Sequence, residues 1–274
     1  MRTPELPLFI QSLSELNNQF SLINFTHEQF YIDHDDDLQQ KDKLTIDCFA
    51  ENKYSKRYAT SLNNVLALRF ESGQFILKSF YVLSVVNFEA YLRDAFNFLI
   101  SLEPEFQQPT KSIYRHIINV FDNSISSEIK STMEYIFYRR NSYMHRKIDT
   151  YEQGAIRDLI KREGYKLNHF WKSKDVKLDA LDFASKSIKE LNHDVVIQLI
   201  AVLHRLAEEI DDIICSKIDN RSICQYLRDI FLCRYPKLSL NSSDVVSRRK
   251  LAHTAQMELG MPSTEIDYDQ ILRS

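Results

Sequence analysis

A chain of 274 residues with 44% hydrophobic content is long enough for one large domain, or for one core with appended elements. Its net charge of -3 and pI near 6.3 exclude a global electrostatic affinity for nucleic acid, so any polyanion has to be held by a local patch. With only 4 Gly and 6 Pro the common helix breakers are nearly absent, and most of the 17 Phe and 14 Tyr recur at three- and four-residue spacings, so long helices and an all-α fold are expected.

In chain order, a first amphipathic segment runs from about Leu8 to Leu22 and stops before YIDHDDDLQQKDK, which reads as a solvated acidic loop. His34 and its aspartates are the nearest thing there to a metal set, and no metal is assigned. A helix from roughly Tyr54 to Phe70 leads to Gly73. The following QFILKSFYVLSVVNFEAYLRDAFNFLI is apolar on more than half of its circumference, as the central helix of a bundle would be, and stops before Pro104. A short helix around Ser112 to Phe121 comes next, then one from about Ser124 with room for a break or kink near Arg140. Thr150 and Glu152 mark a fresh start for TYEQGAIRDLIKREG. Residues 165 to 178, holding the only Trp, read as a loop or short hairpin. Asn192 then caps a second long amphipathic helix, HDVVIQLIAVLHRLAEEIDDIICSKI, and two shorter ones, SICQYLRDIFLCR and VSRRKLAHTAQMEL, close the chain. The expected organisation is a helical extension with an acidic loop over 1–50, a bundle of four to five core helices over 51–218, and a helical extension over 219–274.

Cys48, Cys215, Cys224 and Cys233 lack the paired spacing of a zinc site and read as reduced core residues. His193 and His204 share a helix face, but a cap-proximal and a surface histidine account for them. Neither a basic leader nor a run of the ~18 apolar residues that spanning a bilayer needs is seen, so a cytoplasmic protein without membrane contact is expected.

The stretch YRRNSYMHRKI breaks the pattern. Counted at about 100° per residue from Ile129, the residues Ile125, Met133, Ile136, Phe137, Tyr143, Met144 and Ile148 fall with it inside an arc of roughly 140°. Arg140 falls near the middle of that arc, with Asn141 and His145, one turn apart, at its edge. A guanidinium cannot shed its charge, so it calls for a partner. Glu89, bordering the apolar face of the central helix beside Val85 and Phe96, is a counter-ion of the right kind. A partly buried pair that only fixes helix register is the structural alternative.

An arginine, an amide and an imidazole gathered at one helix face suit phosphoryl chemistry on RNA. Imidazole titrates near pH 6.5 and can remove the proton of a 2′-hydroxyl or protonate the departing 5′-oxygen. The arginine can hold charge on the phosphorane oxygens, and Asn141 can position the phosphate. No metal or other cofactor is demanded, because the nucleophile lies within the substrate. Arg140 and His145 are five positions apart, about 140° around an ideal helix, and one chain offers one such His. Two copies across a two-fold axis would supply both proton carriers.

RNSYMH resembles the Arg, four to six residues, His signature of the HEPN superfamily, in its variant with a polar residue after the arginine. The resemblance covers about residues 54–217, where an apolar helix with an embedded acid (VVNFEAYLRDAF) precedes the motif and an amphipathic helix (VVIQLIAVLHRLAEEID) follows it. It implies a dimerising helical bundle that cuts RNA without metal to leave a 2′,3′-cyclic phosphate, with Arg140, Asn141 and His145 at the site and Glu89 orienting Arg140. It further implies a toxin or antiviral defence role and an antitoxin or defence-system partner protein. Lys147 stands where one branch of these toxins has a Tyr that is modified by a partner enzyme. Arg139, Arg146, Lys147 and Tyr138 flank the motif as candidate RNA contacts, while Tyr143 reads as packing. A non-catalytic adaptor or regulatory subunit of the same fold is the other class. Segment 221–250 holds seven basic residues against Asp229 and Asp244, a surface able to guide RNA or a partner.

Overall fold

Helix formation follows the poverty in Gly and Pro closely. A computed structural model describes residues 1–109, 112–144, 150–185, 191–238 and 244–273. Among these residues there is no strand, only an isolated bridge between Leu44 and Ser61. The helices are α1 (Glu5–Asp33), α2 (Asp35–Leu38), α3 (Thr45–Cys48), α4 (Leu62–Ala67), α5 (Arg69–Leu102), α6 (Ile113–Val120), α7 (Ser127–Met144), α8 (Thr150–Ser173), α9 (His193–Cys215), α10 (Asn220–Arg234), α11 (Val245–Leu259) and α12 (Tyr268–Arg273).

Local signals explain most boundaries. Asn192 Oδ1 accepts the Val195 amide at 2.8 Å at the start of α9, and Asp219 and Asp244 do the same for α10 and α11. Four expectations are corrected. The acidic stretch is not simply a solvated loop: it folds as α2, whose Leu38 is fully buried against Tyr31 and Leu62. Residues 54–58 form turns rather than a helix. The helices begin at Leu62, where Ser61 Oγ accepts the Asn64 amide at 3.3 Å, and α5 then runs unbroken through Gly73. A single interior Gly costs about 1 kcal/mol, which a 34-residue packed helix absorbs. Residues 165–173 continue α8, because Leu167 and Trp171 extend the apolar stripe begun by Ile156 and Ile160. Finally, only Cys215 and Cys224 are buried; Cys48 is half-buried and Cys233 exposed, all four thiols being free. By length and composition α5 also has a window apolar enough to cross a membrane, 44% of it buried in the fold; a core helix passes the same test.

The chain forms two compact units, each from separate segments. The first comprises Met1–Ser12, Val85–Phe137 and Ala201–Ser274. In its core Phe9 stacks on Tyr91 at 4.9 Å and Tyr114 on Phe137 at 4.2 Å. The second comprises Leu13–Ser84 and Tyr138–Ile200. There Phe20 packs on Phe80 and on His193, and the Gln74 amide bonds both the N–H and the C=O of Leu191.

Candidate functional site

Residues Arg140 to Met144 of the motif lie at the end of α7. From Ser131 to Phe137 this helix is buried on most sides, with Thr132, Met133, Ile136 and Phe137 fully enclosed and Tyr135 at 1% exposure. Burial relaxes in its last described turn, where Tyr138, Arg140, Asn141, Ser142 and Tyr143 are half-buried and Met144 is exposed. The helix stays regular through Arg140, without a break. Ser142 Oγ donates to the Arg139 carbonyl at 2.7 Å, tying the turn to itself.

The buried arginine is Arg139 and not the one that the wheel placed at mid-arc. Arg139 is 4% exposed. Its Nε donates to Tyr143 Oη at 2.6 Å, and its guanidinium lies 5.6 Å from the Tyr81 ring and 5.9 Å from that of Tyr143. The two rings meet edge to face at 5.2 Å. The reason is the width of the buried arc. Thr132 and Tyr135, outside the 140° stripe, are themselves buried, and Arg139 follows them by seven and four residues on the same face. Aromatic faces attract a guanidinium through the ring quadrupole. Arg139 is therefore in a different setting from the open polar face that an RNA contact would use. Its side chain also lines a cavity of about 300 Å³ with Leu181, Asp182, Leu191 and Asn192.

Arg140, half-buried, directs Nη1 to Met144 Sδ at 3.8 Å. Glu89 is half-buried on α5, in the first unit, whereas Arg140 belongs to the second. His145, Arg146 and Lys147 lie outside the described residues. Of the other histidines, His193 sits against Phe20, His204 faces Glu208 at 3.7 Å, and His116 packs edge-on to Phe96. Among the described residues no three His, Cys, Asp or Glu side chains converge as a metal site requires. In segment 221–250, Arg234 pairs with Glu258, and Arg248 and Lys250 lie over the Tyr268 and Tyr235 rings, so part of that basic excess is spent on structure.

Sequence reasoning missed a fully buried polar group held by several hydrogen bonds. Asp211 on α9 is fully buried. It accepts the Thr3 amide at 2.9 Å, the Thr3 hydroxyl at 2.5 Å and Tyr91 Oη at 2.9 Å, with Cys215 Sγ at 3.7 Å. Burial first, then the Asp211 charge, push the Tyr91 phenol and the Cys215 thiol well above their usual ranges, so both remain proton donors. Nearby, burial raises Glu5 to about 7, with Asp211 and Asp94 adding to the effect. The signal was present: an acid four residues after Ala207 and three before Ile214, both fully buried.

No family model, curated protein or solved structure matches this chain.

Proposed function

We propose that the protein is a metal-independent endoribonuclease of HEPN type, acting on cytoplasmic RNA as a homodimer. The observation that carries the proposal is the position of Arg140 and Asn141. They share the final described turn of a regular α7, half-buried at the point where core gives way to surface, five and four positions before His145. A guanidinium there is shielded enough to act strongly on a phosphate and open enough to meet one.

In the proposed reaction His145 of one copy takes the ribose 2′-hydroxyl proton as the oxygen attacks phosphorus. Arg140 holds the charge on the phosphorane, and Asn141 positions the phosphate. The second copy's histidine gives a proton to the departing 5′-oxygen. The products are a 2′,3′-cyclic phosphate and a 5′-hydroxyl, so protons balance across the pair. A toxin or antiviral defence role, with a partner that restrains it, belongs to the same proposal through the resemblance of RNSYMH.

The test is end-labelled RNA incubated in EDTA with the wild type, Arg140→Ala and His145→Ala. The wild type cuts, and each substitution slows cleavage by roughly a hundredfold or more. RNA that stays equally intact with all three contradicts the proposal and leaves the adaptor class.

A further inference from the structure

We propose that Ser72 is a second nucleophile, activated by His27 at the polar end of an apolar cavity, and that it takes acyl groups from small hydrophobic esters. The proposal stands independently of the ribonuclease and rests on other residues, all within the second unit.

His27 lies on α1 and Ser72 in the first turns of α5. The His27 ring is engaged at both nitrogens: Nε2 is 2.9 Å from Ser72 Oγ, and Nδ1 is 3.4 Å from Glu28 Oε1. Glu28 is itself fixed by Arg69, whose Nη2 donates to Oε2 at 2.7 Å. That hydrogen bond holds the Glu28 carboxyl below its usual range, so it is anionic whenever the imidazole is neutral. Arg69 in turn lies 4.7 Å over the Tyr31 ring, and Tyr31 meets the imidazole edge to face at 5.2 Å. On the other side the ring faces Gly73, where a Cβ would stand at an ordinary 3.7 Å from His27 Cε1. Hydroxyl, imidazole and carboxylate thus follow one another in the order that activates a serine.

Ser72 Oγ is also 2.9 Å from the Arg69 carbonyl, which gives the hydroxyl two acceptors. With the ring proton on Nε2, His27 donates to Oγ and the hydroxyl turns to the Arg69 carbonyl. With the proton on Nδ1, facing Glu28, Nε2 accepts from the hydroxyl and the serine is poised. Glu28 favours the second form by attracting Nδ1–H, which makes it a positioning residue.

Ser72 and His27 open onto a cavity of about 450 Å³ walled chiefly by Ile23, Phe30, Val65, Leu68 and Ile76. This is the size and lining of a small-molecule pocket. Glu28 and Arg69 neutralise one another and the wall is apolar, so an uncharged acyl chain is the matching ligand. In the reaction Oγ bonds to the ester carbonyl carbon as its proton passes to His27 Nε2. The ester C–O bond breaks, and the leaving alcohol takes that proton. Water then attacks the acyl-serine, giving a proton to His27 and returning Ser72 and a carboxylic acid.

The test is labelling of the intact chain with alkyl fluorophosphonates, read by mass spectrometry. Ser72 gains one phosphonyl group, faster from an octyl than from a methyl probe. Ser72→Ala abolishes the gain, and His27→Gln, shown to be folded by circular dichroism, slows it at least tenfold. Absence of label on Ser72, or label on Ser72 at an unchanged rate in folded His27→Gln, overturns the proposal.

Discussion

Arg139 and Arg140 are adjacent on one helix and meet opposite demands. Arg139 is enclosed by Tyr81 and Tyr143, so its charge serves packing; Arg140, half-buried at the helix end, keeps the exposure a substrate contact requires. The sequence made one of the two conspicuous, and a wheel with too narrow an arc chose its neighbour. Side-chain identity was legible there, but the depth of burial was not, because it depends on Tyr81 from a distant segment as well as on the local Tyr143. The same holds for Asp211, whose partners Thr3 and Tyr91 lie far along the chain. Replacing Asp211 by Ala leaves the buried Thr3 amide and hydroxyl without their acceptor, and Tyr91 Oη with only the Ala207 carbonyl at 3.1 Å. It should lower unfolding stability in urea by about 3 kcal/mol or more, and a change under 1 kcal/mol would contradict the role assigned to it. Glu5 supplies a pH test. Burial raises it from 4.5 to about 7, so the folded state holds a proton that the unfolded state has lost between those values. Stability from this group is fully present below pH 4.5 and is lost as pH rises through about 7. Glu5→Gln should flatten the decline across that window, measured as urea midpoints at several pH values.

Among the elements, glycines separate what a pattern shows from what only packing shows. Gly73 and Gly164 both sit inside helices that propensity alone would improve with Ala. At Gly73 a Cβ meets only the His27 ring at an ordinary 3.7 Å, so Gly73→Ala should stabilise by roughly 0.5–1 kcal/mol. At Gly164 it would stand 2.6 Å from Ala184 Cα and 2.7 Å from the Phe183 carbonyl, both backbone. Gly164→Ala should therefore destabilise by roughly 1–3 kcal/mol. Thermal unfolding of the pair gives opposite signs if the 183–184 segment lies against α8 as described, and equal signs if it does not. The helix start at Asn192 was readable because a cap is a local hydrogen bond; Asp219 and Asp244 cap α10 and α11 in the same way but were not singled out. The extension of α8 to Ser173 was missed, although Ile156, Ile160, Leu167 and Trp171 keep one stripe. What misled was the polar residues around Trp171, of which Lys172 and Ser173 are exposed while Asn168 bonds Asp182 and the Phe183 amide. The turns at 54–58 were harder, since their aromatic residues mimic a helix face.

For the molecule as a whole, the composition sufficed for an all-helical fold, but the grouping of segments into units is set by contacts between residues far apart in sequence. The first unit joins Met1–Ser12 to the C-terminal third through Thr3 and Asp211, and through the Arg2 amide bonded to the Leu259 carbonyl at 2.8 Å. No periodicity announces such pairings. For function the sequence offers a short motif: RNSYMH suggests the proposed chemistry, and the half-buried turn carrying Arg140 and Asn141 is compatible with it. The most direct measurement is the end group left on RNA cut by the purified chain in EDTA, read by mass spectrometry beside the same RNA carrying 2′-deoxyribose at the cleaved position. The proposed chemistry predicts a 2′,3′-cyclic phosphate and a 5′-hydroxyl from the first substrate and no cut at that position in the second. A 3′-hydroxyl end, or cleavage of the 2′-deoxy position at the same rate, would contradict it.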